Sequence, residues 1–192
     1  MLAPVSIRMN NPGALNVAPW VKAYPGYVSN KVTTAGNATV AFETPTHGVA
    51  AWWELMRRYR ASGAVTLTDV IYRYCGKGRE REAAEYLKYV TTRTKLPGAV
   101  DVPIYDDRRL LAVARAFFRY EAGVESPLSD DQIVEGFRWG RAWAEGRPGA
   151  PSSGEKNQPP PGEGSGGRIS TPWAPKGLLG VLWRLLAPFL RR

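Results

Sequence analysis

The sequence predicts a mainly α protein of the α+β kind, a helical domain with a small loop and hairpin lobe at its N-terminus. Three observations carry this. Apolar residues recur at helical spacing in successive segments from His47 to Trp143. Asn, Gly, Pro and Thr crowd the first forty-odd residues and leave only short β-prone pieces. From Arg147 to Pro175 the chain turns to Gly, Pro and Ser, which build no core. The folded domain is therefore expected at 1–146, a flexible linker at 147–175 and a separate segment at 176–192.

In the lobe, Val28, Val32, Val40 and Phe42 sit in short strand-like pieces, with turns expected at Asn30 and at Ala35-Gly36-Asn37. Asn10-Asn11-Pro12-Gly13 is a turn sequence, because Pro-Gly closes a tight bend. Thr46 is the expected cap of a helix over about 47–61, with Val49, Trp52, Trp53 and Met56 inward. Thr66 or Thr68 starts a second helix ending near Tyr74. A third spans about 79–92, with Ala83, Tyr86, Leu87 and Val90 on one face. Residues 95–103 read as a loop. Asp106 and Asp107 lie where a helix start favours negative charge. The helix after them, 108–122, is the most apolar and is expected to be central, with Gly123 as its stop. Ser129 and Gln132 form a capping box for a last helix through Ile133, Val134, Phe137 and Trp143.

The formal net charge of +9 favours anionic partners: nucleic acid, anionic lipid or the acidic bacterial wall. No arginine-rich block or nucleic-acid motif accompanies it, so nucleic acid is the least expected of the three. Cys75 is the one cysteine, so no internal disulfide is possible; it reads as a small core residue. His47 is the sole histidine and has no Cys pair beside it, which argues against a zinc site. The Gly-rich linker lacks the Gly-Lys-Ser/Thr of a phosphate loop, and no cofactor is expected. The N-terminal MLAPVSIRMN has no basic stretch followed by an apolar run, so a secretory signal is not expected there.

Glu121 is the leading candidate for chemistry. It closes the apolar helix beside Phe118 and Tyr120. A carboxyl partly desolvated there would hold its proton longer, as a general acid for glycosidic cleavage must. The plainer role is an exposed helix-end charge paired with Arg119. Glu43 is the only acidic residue among the first 53, and so the candidate second carboxylate; equally it is a favourable charge before a helix start. The amides of Asn10 and Asn11 could bind N-acetyl groups or serve only the turn.

The helix LLAVARAFFRYEAG is similar to the helix of soluble lytic transglycosylases and goose-type lysozymes that ends in Glu-Ser-Gly. Glu121 and Gly123 match, and Ala122 replaces the Ser. Glu82, Tyr86 and Val90 in EAAEYLKYV resemble a second element of that family, a Glu followed four residues later by Tyr-Val. Residues 8–15 with Trp20 and the run from Phe42 to Ala51 resemble a phage and prophage group that opens on Asn-Asn-Pro-Gly, and the lobe of flagellar-type glucosaminidases. The pieces occur in cyclically shifted order, so a circularly permuted lysozyme-like fold is implied. The resemblance implies a lytic transglycosylase or muramidase acting on peptidoglycan as a monomer. It would be made in the host cytoplasm or carried in a virion, and would work at the wall. Glu121 is then the acid, Tyr86 orients the acid or the sugar, and Asn10, Asn11, Trp20, Tyr89 and Tyr120 contact the glycan. A non-catalytic virion or wall-binding protein of the same fold is the alternative.

Residues 176–192 read KGLLGVLWRLLAPFLRR. Leu179, Leu182, Trp183, Leu186, Phe189 and Leu190 fall within one helical arc of roughly 200°. Arg184 lies on the other side with the glycines. The apolar run is shorter than the roughly 20 residues that span a bilayer. A cationic amphipathic helix lying in the membrane surface is expected, which could also act alone as a permeabilising element. Docking back onto the domain or dimerisation would use the same face.

Overall fold

The computed structural model describes residues 3–32 and 38–146. The linker and the amphipathic tail expected at 147–192, with Leu179, Leu182, Trp183, Arg184, Leu186, Phe189 and Leu190, lie outside the described residues, as does the expected turn at 35–37.

The architecture is mainly helical with one small sheet, as expected. In order the elements are α1 (Val5–Arg8), α2 (Pro19–Lys22), β1 (Tyr27–Val32), β2 (Ala38–Phe42), α3 (Pro45–Ala61), α4 (Leu67–Cys75), α5 (Glu80–Thr94), α6 (Asp107–Ala122) and α7 (Asp130–Ala144). β1 and β2 pair antiparallel, with Tyr27 opposite Phe42 and Asn30 opposite Val40. Asn30 is thus inside the strand and not at a turn. The register shifts at Val28 between Tyr27 and Ser29, which leaves Val28 exposed. Residues 15–17 run along the other edge of β2: Val40 N–H donates to Leu15 O at 3.0 Å and Val17 N–H to Ala38 O at 2.7 Å. The lobe is therefore wider than a bare hairpin.

The helix starts follow their capping residues. α3 begins two residues earlier than expected, because Thr44, not Thr46, is the cap. Its hydroxyl accepts the His47 N–H, and Pro45 occupies the first turn, where its missing donor costs nothing. Thr66 with Asp69, and Ser129 with Gln132, form complete capping boxes. Asp106 accepts the Arg109 N–H at the start of α6. Gly123, at φ +72°, ends α6 in the left-handed region that glycine tolerates. The four-residue α1 and α2 were not expected.

α6 is central. Leu110, Val113, Ala114, Ala116, Phe117 and Phe118 are buried along it. Trp52 of α3 makes edge contacts with Phe117 and Phe118 and a tilted one with Phe137 of α7, with centroids 5.3–6.3 Å apart. α3 and α7 approach closely because α7 turns glycines toward α3. A Cβ on Gly136 would lie 2.5 Å from Val49, and one on Gly140 would lie 2.8 Å from Trp53. Across the domain, Arg141 of α7 clasps Asp107 at the head of α6 through two hydrogen bonds of 2.6 and 2.9 Å.

Candidate active site

The end of α6, the middle of α5, the end of α4 and the edge of the lobe meet around a cleft of about 220 Å³. Glu121 and Tyr120 enter it from α6, Tyr86 and Glu82 from α5, and Tyr74 and Cys75 from α4. Ala14, Asn16 and Thr39 form the lobe side, and Arg79 sits where α5 begins. Glu121 is half-buried. The acid named from the sequence thus faces a groove, with the lobe across from it.

Aromatic rings build the floor. Tyr86 and Tyr120 stack with centroids 3.7 Å apart and planes 13° from parallel. Tyr74 meets Tyr86 and Phe117 edge-on. The Tyr74 hydroxyl donates to the carbonyl of Gly13, so the Pro12-Gly13 bend is pinned to the helices and the cleft walls are held together. Tyr86 is 2% exposed, and its hydroxyl has no partner at ordinary hydrogen-bond geometry. Burial raises its pKa well above the usual phenol value. The charge of Glu121 adds to that, then Tyr74, then a weak hydrogen bond toward Glu121. Tyr86 is therefore a neutral phenol beside the carboxylate. Tyr74 is held neutral in the same way, by burial first and Glu121 second.

Several expected ligands do other work. Asn11 is fully buried. Its amide N–H groups donate to Leu15 O and Val40 O, and its carbonyl accepts Leu15 N–H, all at 2.9 Å. Asn10, at φ +52°, donates to Phe42 O and Glu43 O at 3.0 Å. Both Asn10 and Asn11 are therefore latches that sew the N-terminal segment to β2 and not sugar ligands, because their donors are already taken by backbone. Trp20 lies on α2 under the guanidinium of Arg58, 4.7 Å from its centroid, and edge-on to Tyr24. That stack, and not the cleft, is its place. Glu43 is exposed at the end of β2 and is not among the residues lining the cleft. Its charge acts on His47, whose pKa is lowered by burial and partly restored by Glu43. Tyr89 stands behind the cleft, 5.2 Å from the Tyr120 ring.

Sequence reasoning missed Arg79, Asn16 and Thr39, and it placed Cys75 in the core, whereas Cys75 is half-buried and lines the cleft. Glu82 was visible through its spacing to Tyr86 but was given no role of its own. Its carboxylate takes the Arg79 guanidinium at 2.6 Å.

This chain is similar to a phage protein. It is 29% identical over 100 residues to Protein P5 of Pseudoalteromonas phage PM2. The aligned part is 52% of this chain and 59% of that protein, so the chain spans about three-fifths of the length of the relative it matches. No family model matches the chain.

Proposed function

We propose that this chain cuts the glycan strands of bacterial peptidoglycan in a lysozyme-like cleft, with Glu121 as the acid that protonates the leaving oxygen. The observation that carries the reading is the position of Glu121: half-buried, on an aromatic floor, in a cleft shared with the lobe. Glycosidic cleavage needs one carboxyl that can deliver a proton to the bridging oxygen while the ring carbon gains positive charge. Tyr86, a neutral buried phenol directed at that carboxylate, can fix its orientation. Tyr120 presents the cleft-facing partner of a stacked aromatic pair, a surface suited to a sugar ring.

The cleft is smaller than the roughly 300–1,000 Å³ of sites that engulf a whole small molecule. That suits a long strand that enters with only its reacting sugars. The net charge of +9 favours approach to an acidic wall, and the likeness to a phage protein agrees with a virion-borne or lysis role. The tail at 176–192 would bring the domain to a membrane surface through Leu179, Leu182, Trp183, Leu186, Phe189 and Leu190.

The test is turbidity loss of chloroform-permeabilised Gram-negative cells, with purified sacculi as the second substrate. Wild-type protein is expected to clear both. A wild-type protein that binds sacculi but releases no soluble fragments would make it a wall-binding protein.

A further inference from the structure

We propose that Glu82 is the second carboxylate of the cleft and makes the reaction a hydrolysis, by holding and deprotonating the attacking water. This rests on the reading of Glu121 as the acid. The juxtaposition is structural. Glu82 and Glu121 come from different helices, α5 and α6, yet line the same cleft. Glu82 lies one helical turn before Tyr86, and residues at that spacing are neighbours about 5–6 Å apart. Tyr86 in turn faces Glu121. The buried Tyr86 hydroxyl, without a partner at ordinary geometry, belongs to a residue that lines the same cleft and can donate to a bound oxygen.

The two acids have unlike surroundings, and this assigns their roles. Glu121 is half-buried over Tyr86 and Tyr120. The Glu82 side chain is 48% exposed and is held by Arg79. The Arg79 guanidinium, its pKa raised first by the hydrogen bond to Glu82, also feels Glu121. Glu82 therefore has a cation at one oxygen and solvent at its side chain, the access that a base capturing a water requires. Glu43 lacks this placement. In the step, the water oxygen bonds to the anomeric carbon as the bond to the bridging oxygen breaks. Glu121 gives its proton to the bridging oxygen, and Glu82 takes one from the water. No oxidant or further reactant is needed.

The experiment digests sacculi with the full chain in ¹⁸O-water and analyses the released fragments by mass spectrometry, for wild type, Glu121→Gln, Glu82→Gln and Glu82→Ala. Wild type is expected to give reducing ends carrying ¹⁸O. Glu82→Gln should lose on the order of 100-fold in kcat, with little change in KM or in thermal midpoint. Azide should restore turnover to Glu82→Ala as a glycosyl azide, which a purely structural charge at the start of α5 would not allow. Anhydro-muramic ends without ¹⁸O, or a Glu82→Gln protein with wild-type kcat, overturn the proposal and leave Glu121 as the acid. Failure of wild type to release fragments overturns both readings.

Discussion

Asn11 carries three buried hydrogen bonds that join the first loop to β2. Asn11→Ala would remove all three and leave Leu15 N–H without its acceptor, while Leu15 O keeps the Val40 N–H. At about 1 kcal/mol for each bond, a loss of about 3 kcal/mol is expected in urea unfolding. A stability equal to wild type would return Asn11 to the role of a ligand. Tyr86→Phe removes a buried hydroxyl that lacks an ordinary partner, so the thermal midpoint should hold or rise slightly. Because Tyr86 lines the cleft beside Glu121, its hydroxyl is expected to bond the reacting groups only as the reaction proceeds, and kcat should fall by about 10-fold or more, about 1.4 kcal/mol of barrier. The measurement is kcat and KM on sacculi, and an unchanged kcat would make Tyr86 a core ring only. Glu121, Tyr86 and Tyr120 were legible in the sequence because they lie on periodic helices with a recognisable spacing. Asn10, Asn11 and Trp20 were not, because an amide or an indole in a loop does not reveal whether its partner is a sugar, a carbonyl or an arginine. Asn16, Thr39 and Arg79 reach the cleft from separate segments that only folding brings together.

The same division holds for whole elements. Helices with a complete signature, such as the capping box of Ser129 and Gln132 or the Asp106 start and Gly123 stop of α6, were readable almost to the residue. α1 and α2 were not, since four residues carry no period. The start of α3 moved because Pro45 after Thr44 makes the earlier threonine the better cap. The close seam between α3 and α7 was also invisible, because the partner of each glycine lies far away in the chain. At Gly140 a Cβ would meet Trp53 at 2.8 Å and the Ala50 carbonyl at 3.0 Å. Gly140→Ala gains helix propensity but overpacks this seam, so a net loss of about 1–3 kcal/mol is expected in chemical unfolding. A variant more stable than wild type would mean that the two helices separate at no cost.

Over the whole molecule, the lobe and helices share one core, and His47 sits at their junction. It is buried, its Nδ1 lies 2.9 Å from Thr44 Oγ1, and its ring is edge-on to Trp139. Burial lowers its pKa from 6.5. The unfolded chain therefore binds the His47 proton at a higher pH than the folded one. Stability should be full above pH 6.5 and fall as the pH drops below it. Urea midpoints between pH 5 and 8 measure this, and a midpoint that rises on acidification would contradict it. Removing residues 176–192 should abolish leakage from anionic vesicles yet leave digestion of purified sacculi unchanged; equal loss of both would tie the tail to the cleft. The mainly helical fold was legible because the hydrophobic period reports it directly. The cleft was legible only through its helix-borne residues.

The most direct test of the central claim is the initial rate of fragment release from sacculi by Glu121→Gln, with circular dichroism and thermal midpoint measured on the same sample. The account predicts a native fold and a rate reduced by about 10²–10⁴-fold. A folded Glu121→Gln protein that releases fragments at the wild-type rate would contradict it.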